Sequence, residues 1–147
     1  MTAGPTDRLG AFPALDHPSL FMRDSGFVIE QISGVRVTGH LLLGPDQHTP
    51  WGIVHGGVYA TAAESAASLG ACAAVADRGQ HAVGVTNSTD FLRPMVEGRV
   101  EVLAEPVTQG RTQQLWQVAI TRSDNGKLVA RSTVRLQNLP VPPAARG

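Results

Sequence analysis

A histidine, two glycines and one carboxylate in this chain have the types and spacing of a reactive site. His55, Gly56 and Gly57 open a stretch of small residues typical of a helix, and Glu64 follows nine positions after His55. The first N–H groups of a helix lack partners within the helix and carry partial positive charge, so they can polarise a carbonyl or hold an oxyanion. Glu64, the only acidic residue between positions 46 and 77, can act as a nucleophile or a general base.

The distance between these two features predicts a site built by two copies of the chain. Nine helical positions separate His55 and Glu64 by roughly 13 Å. One reacting carbonyl cannot touch both, because catalytic contacts need about 3 Å. If both act on one substrate, one half must come from a second copy. A symmetric dimer with antiparallel facing helices would create two equivalent sites.

The composition favours one ordinary domain without a nucleic-acid or membrane partner. The chain has 147 residues, 42% of them hydrophobic, which is enough for a real core. A net charge of zero gives a nucleic acid no electrostatic support. We identified no apolar run of about 20 residues to span a membrane and no secretory signal, so we expect the cytoplasm.

The cysteine and histidines predict neither a disulfide nor a metal site. Cys72 is the single cysteine and lies in an apolar helical stretch, which indicates a small buried residue. His17, His40, His48 and His81 show no metal-ligand spacing with cysteines or carboxylates. We therefore expect no metal and no bound cofactor.

The pattern along the chain predicts an α+β fold, in which one long helix is wrapped by an antiparallel sheet of five or six strands. The helix is predicted from position 55 to about 76, with an exit at Gly79. Period-two alternation and the Asn125-Gly126 turn mark strands, which we place at 26–32, 35–43, 81–91, 99–107, 112–122 and 128–137. We predict a flexible arm over 1–20, a single domain over 21–139 and a mobile tail over 140–147.

This order of elements, with His55-Gly56-Gly57 and the helix-borne Glu64, resembles the hotdog-fold thioesterases. Within them it is most similar to the PaaI-like branch, which includes Arthrobacter-type 4-hydroxybenzoyl-CoA thioesterases and bacterial enzymes acting on 1,4-dihydroxy-2-naphthoyl-CoA. The resemblance runs from about position 26 to 139. It is supported by Val83-Gly84-Val85-Thr86-Asn87, Phe91-Leu92-Arg93-Pro94, Glu97-Gly98 and Gly110-Arg111 leading into Leu115-Trp116.

The resemblance implies an acyl-CoA thioesterase acting on an aromatic acyl group. It implies that the Gly56 N–H polarises the thioester carbonyl and that Glu64 of the facing subunit attacks the thioester or activates a water. Ser68, one turn after Glu64, matches a family Ser or Thr that positions the nucleophile. The same resemblance implies a homotetramer built from two dimers, and coenzyme A enters as part of the substrate.

The loop before the helix departs from the family pattern. Relatives tend to carry a glutamine six residues before the motif histidine, where this chain has Thr49. Either the loop brings Gln47 or His48 inward, or Thr49 takes the place of the glutamine. This departure leaves the acyl group open more than the reaction class.

Further substrate contacts have a structural alternative in each case. Gly57 admits a ligand or allows close backbone packing. Tyr59 and Trp51 either line an acyl pocket or belong to the core or an interface. The guanidinium groups of Arg93 and Arg111 suit phosphate oxygens, so both arginines are candidates to bind the coenzyme A phosphates. Thr112, next to Arg111, is a candidate to bind the pantetheine or phosphate region. The alternative is that these side chains are solvated on the surface.

Two rival functions belong to other classes. Acyl-thioester dehydratases and hydratases of the same fold also combine a histidine with a helix acid, but their His-Phe-Pro and Pro-Gly-Val stretches are absent here. A non-catalytic acyl-CoA sensor would keep the pocket and lose the acid, so Glu64 argues against it. Fold alone does not separate these functions.

Overall fold

The computed structural model describes residues 19–142, which contain six strands and one long helix. In chain order the elements are α1 (Leu20–Asp24), β1 (Val28–Ser33), β2 (Arg36–Leu43), α2 (Gly56–Val75), β3 (Gln80–Phe91), β4 (Gly98–Gln109), β5 (Gln113–Arg122) and β6 (Leu128–Pro140). Two short 3-10 turns, Pro45–Gln47 and Ala76–Arg78, flank α2 along the chain. The predicted fold class is confirmed, with six strands.

The ends of the chain differ in part from the prediction. Strand β6 continues through Leu139 and Pro140, which pair with His81 and Gln80 of β3, whereas the sequence predicted the strand to end at position 137 and a mobile tail from position 140. The helix α1 begins inside the predicted arm, at Leu20. The rest of the predicted arm, and the tail beyond position 142, lie outside the described residues.

The six strands form one antiparallel sheet with the order β1-β2-β4-β5-β6-β3. Helix α2 packs across one face, and alternate strand residues point toward it, including the fully buried Trp116 and Leu136. Strand β3 returns from the end of α2 to lie beside β6. It therefore forms one edge of the sheet, with no strand on its outer side among residues 19–142.

Small side chains allow α2 to lie close to the sheet. Ala62, Ala63, Ala66, Ala67 and Ala71 have no exposed surface. By length and composition alone, the stretch 56–78 could also cross a membrane, which corrects our statement that no run is apolar enough. A buried core helix has the same character, and the sheet covers one face of this helix.

Gly70 of α2 lies directly against the Trp116 ring of the sheet, and its replacement by alanine is expected to destabilise the fold. A Cβ at this position would meet the ring of Trp116, which has no exposed surface and whose Nε1–H donates to Gln114 Oε1 at 2.9 Å. Overpacking a core costs about 1–3 kcal/mol, against a helix-propensity gain of about 1 kcal/mol. We expect Gly70→Ala to lower the free energy of unfolding by up to about 2 kcal/mol in urea titrations.

Gly44→Ala is the matched control, because nothing lies within 4 Å of a Cβ at Gly44. We expect its stability to stay within about 0.5 kcal/mol of the wild type. Equal stability of both variants would show that the helix can move away from the sheet and that Gly70 does not fix its distance.

Candidate active site

The first half of the candidate site is the start of α2. The chain reaches it through a short loop closed by a bridge between His48 and Val54. His55 is the N-cap: its Nδ1 accepts the Gly57 N–H at 2.8 Å, so a neutral imidazole carries its proton on Nε2. The neighbouring Gly56 N–H has no acceptor among residues 19–142, which leaves it available to an incoming oxygen.

A cavity of about 510 Å³ opens at this helix start. Thr49, Gly57, Tyr59 and Arg93 line it together with His55, Gly56 and Phe91. The Phe91 ring lies against Gly56, where a Cβ would stand 2.8 Å from the ring. A larger residue at position 56 would therefore have to displace the Phe91 ring.

The structure distinguishes the three residues that the sequence left open in the preceding loop. Gln47 Oε1 accepts the Gly44 N–H at 2.9 Å, and His48 Nε2 lies 2.6 Å from the Val96 carbonyl oxygen. Gln47 is thus engaged within its own turn, and His48 is engaged with the segment before β4. Thr49 is the residue of the three that lines the cavity at the helix start.

The second half of the candidate site is the Glu64 carboxylate, two turns further along α2. The side chain is half-buried and faces strand β3. Asn87 Nδ2 donates to Glu64 Oε2 at 3.2 Å and to the Ala60 carbonyl at 3.0 Å. The other oxygen, Oε1, lies against Gly84, where a Cβ would collide with it. Glu64 is thus held between its own helix and the edge strand.

A separate groove of about 530 Å³ runs beside Glu64, between α1 and the outer face of α2. Its lining is mostly apolar and comprises Phe21, Met22, Ala60, Thr61, Glu64, Ser65, Ser68 and Leu69. Ser68 shares this groove, but its hydroxyl makes no hydrogen bond to the Glu64 carboxylate in the described part of the chain. Asn87 makes that hydrogen bond instead.

The two halves remain apart within one chain. Gly56 and Glu64 are eight positions apart, which places them about 12 Å from each other along the helix axis. They also open into different cavities. One chain therefore cannot bring both to a single carbonyl.

The arginines and Thr112 are distributed over both ends of the sheet. Arg93 lies at the helix-start cavity, and its Nη1 donates to the Leu128 carbonyl at 2.6 Å. Arg111 and Thr112 are exposed in the turn after β4. The twelve residues of β4 lie between that turn and Arg93, which is up to about 40 Å measured along the strand. Within one chain, Arg93 and Arg111 cannot bind the same phosphate group.

The two aromatic candidates have opposite environments. Tyr59 is 3% exposed, packs near Phe91 with ring centroids 6.4 Å apart, and has a buried hydroxyl without a partner among the described residues. Burial raises the pKa of the Tyr59 phenol, and the positive charge of Arg122 offsets part of that rise. Trp51 is 86% exposed and does not line the cavity at the helix start.

Comparisons with known proteins identify the family. Residues 52–129 match the model described as "Thioesterase superfamily". A 1,4-dihydroxy-2-naphthoyl-CoA thioesterase of Arabidopsis thaliana is 38% identical over 126 residues, covering 80% of this chain and 78% of that protein. A Mycobacterium tuberculosis protein provisionally named an esterase is 50% identical over 94 residues, which span 63% of this chain and 66% of that protein, just under two thirds of its length.

Solved structures agree with the sequence comparisons. The structure of that mycobacterial protein superposes with a TM-score of 0.80 at 41% identity, covering 85% of this chain and 100% of the other. A thioesterase from Haemophilus influenzae superposes with a TM-score of 0.80 at 26% identity, covering 95% and 93% of the two chains.

A long helix wrapped by an antiparallel sheet, with a helix-borne carboxylate, defines a protein of the hotdog class. The sequence and structure matches then place it within that class: the chain belongs to the thioesterase superfamily. The family predicted from His55-Gly56-Gly57 and Glu64 is confirmed.

Proposed function

We propose that this protein is an acyl-CoA thioesterase whose site is shared by two subunits. The carrying observation is the split geometry: an unpartnered Gly56 N–H at the helix start and an anchored Glu64 carboxylate about 12 Å away. The Gly56 N–H polarises the thioester carbonyl, and Glu64 of the partner subunit acts on its carbon. His55 holds the helix start by accepting the Gly57 N–H, and does not transfer a proton.

Two chemical routes are compatible with this arrangement. In one, Glu64 takes a proton from water as the water oxygen bonds to the acyl carbon. In the other, a Glu64 oxygen bonds to that carbon and water then hydrolyses the resulting anhydride. In both routes the carbon–sulfur bond breaks, the sulfur leaves as a thiolate and takes up a proton, and the acyl group leaves as a carboxylic acid.

The edge strand β3 supports the proposed dimer. Every residue from Val83 to Ser88 is exposed, including Asn87, which contacts the half-buried Glu64. Long exposed edges are usually covered or paired in proteins. A second copy pairing along β3 would cover this edge and approach Glu64. The family resemblance further favours a tetramer made of two such dimers.

Symmetry predicts where the dimer axis crosses the chain. If Gly56 of each subunit meets Glu64 of the other, the twofold axis passes midway between them, near Ala60. The Ala60 carbonyl accepts the Asn87 amide, so the same axis crosses β3 near Asn87 and Ser88. Opposite Cα atoms of paired antiparallel strands lie about 4.5–5.5 Å apart, which suits a disulfide.

We therefore expect Ser88→Cys to form a disulfide-linked dimer under mild oxidation, detected on a non-reducing gel. Ser123→Cys is the matched control, because Ser123 is exposed in the turn after β5, away from the edge strand. Cross-linking of the control alone, or of neither variant, would contradict pairing along β3. The wild type controls for the native Cys72.

The groove beside Glu64 favours an aromatic or other apolar acyl group. Phe21, Met22 and Leu69 supply most of its wall, and Glu64 lies at its side. The Arabidopsis relative is named for an aromatic bicyclic CoA ester, which supports the same class. We place the acyl group in this groove. Coenzyme A then extends toward the helix start of the partner subunit, where Thr49, Gly57, Tyr59 and Arg93 lie.

Thiol release from a panel of CoA esters tests this function. The panel contains benzoyl, hydroxybenzoyl, phenylacetyl, hydroxynaphthoyl and medium-chain fatty acyl groups. We expect the highest kcat/KM for the aromatic esters. Equal rates on all esters would contradict the aromatic preference. Tight binding of esters without release of any thiol would contradict the proposal that the protein is an enzyme and would support a non-catalytic acyl-CoA sensor.

A further inference from the structure

We infer that Asn87 is a positioning residue for Glu64, fixing which of the two carboxylate oxygens reacts. The inference rests on the proposed thioesterase function. It deepens that function by giving a role to Asn87, for which the family resemblance implied none.

The Asn87 amide is used completely. Its two N–H donors reach the Ala60 carbonyl at 3.0 Å and Glu64 Oε2 at 3.2 Å. In an α-helix the Ala60 carbonyl also accepts the N–H of the residue four positions on, which is Glu64. Asn87 therefore ties the side chain of Glu64 to the same carbonyl that holds the Glu64 backbone.

A hydroxyl pair sets the orientation of this amide. Thr89 Oγ1 donates to Asn87 Oδ1 at 2.7 Å and lies 2.7 Å from Ser132 Oγ. Because the Thr89 proton is used on Asn87, Ser132 must donate to Thr89. Ser132 is 4% exposed and belongs to strand β6, which lies between β5 and the edge strand β3. The amide oxygen is thus held on the strand side, and the NH₂ group must face the helix and Glu64.

This anchoring makes the two oxygens of Glu64 unequal. Oε2 receives a charge-assisted hydrogen bond, which fixes the plane of the carboxylate. Oε1 lies against Gly84 and has no hydrogen-bond partner among residues 19–142. Oε1 is therefore the oxygen that takes the proton of water or bonds to the acyl carbon. In both routes the thiolate leaves and is protonated, as described above.

Asn87→Leu keeps the approximate shape of the side chain and removes both donors. We expect kcat to fall about 10- to 100-fold, because small misplacements of a reacting group are costly. KM should change by less than about threefold, since Asn87 acts through Glu64 and not on the substrate. Thr89→Val, which frees the amide to rotate, should lower kcat in the same direction by about threefold or more.

A double-mutant cycle separates positioning from a merely structural role. In a Glu64→Ala background, Asn87→Leu should leave the residual rate unchanged, because there is no carboxylate left to position. An equal fall of kcat in both backgrounds would overturn the inference. Asn125→Ala, which alters an exposed amide in the turn before β6, is the control and should retain wild-type kcat.

A readout without catalysis keeps this inference distinct from the proposed function. The side-chain NH₂ resonances of Asn87, assigned by their loss in Asn87→Leu, should shift in Glu64→Ala and stay in place in Asp90→Asn. If no thiol is released from any ester but this shift is observed, the proposed thioesterase function is contradicted, whereas the hydrogen bond between Asn87 and Glu64 is confirmed. If the Asn87 resonances do not shift in Glu64→Ala, the positioning role of Asn87 is overturned, even if the enzyme is active.

Discussion

Glu64→Gln is expected to lower kcat for thioester hydrolysis by at least about 100-fold while leaving KM nearly unchanged. The amide keeps the volume of the side chain and an oxygen that can accept from Asn87, whose donor now lies 3.2 Å from Glu64 Oε2. It loses the charge that either removes a proton from water or attacks the acyl carbon. Steady-state kinetics of thiol release on the best CoA ester measure the effect.

Glu97→Gln is the matched control for this prediction. Glu97 is an exposed glutamate in the turn before β4, and its replacement should leave kcat within about twofold of the wild type. If Glu64→Gln retains more than about a tenth of wild-type kcat, the reacting group lies elsewhere. In that case the contact between Glu64 and Asn87 is structural.

Local patterns were enough to predict most of the elements. Period-two alternation identified β5 and β6, and the run of small residues identified α2, because each pattern reports burial on one face. The end of β6 could not be predicted from such a pattern. Strand β5 stops pairing at Gln113 with Gln137, so Pro140 lies beyond it and pairs only with Gln80 of β3. A proline is tolerated where one side of a strand is open, and that opening is a property of the sheet.

The reactive groups of the candidate site were predictable, but their supports were not. His55, Gly56 and Glu64 lie within ten residues, so one helix start and its spacing suffice to select them. Asn87 is 23 positions from Glu64, and its contact depends on β3 crossing α2. The alternation of Asn87 and Thr89 on one face of that strand was the available signal, though it does not show what the face meets.

The orientation of the side chains in the loop before α2 could not be predicted from the sequence either. Gln47, His48 and Thr49 are adjacent, and their types alone do not select which one faces the cavity. The choice depends on a donor in the same turn, the Gly44 N–H, and on an acceptor from a distant segment, the Val96 carbonyl. Gln47 and His48 do not line the cavity, because their side chains make hydrogen bonds outside it.

Gly84→Ala is expected to lower kcat by about 100-fold with little loss of stability. A Cβ at Gly84 would occupy the place of Glu64 Oε1, so one of the two must move. The end of the flexible Glu64 side chain moves more easily than the backbone of β3. The fold therefore accommodates the methyl group, whereas the carboxylate leaves the position in which Oε1 can react.

Two measurements separate this displacement from general damage to β3. Thermal unfolding of Gly84→Ala should stay close to that of the wild type. Shortening the acid makes room for the methyl group, so Gly84→Ala should cost much less in a Glu64→Asp background than alone. A kcat within about threefold of wild type for Gly84→Ala would contradict tight placement of the carboxylate. An undiminished loss in the Glu64→Asp background would instead show that Gly84 shapes the edge strand and not the position of Glu64.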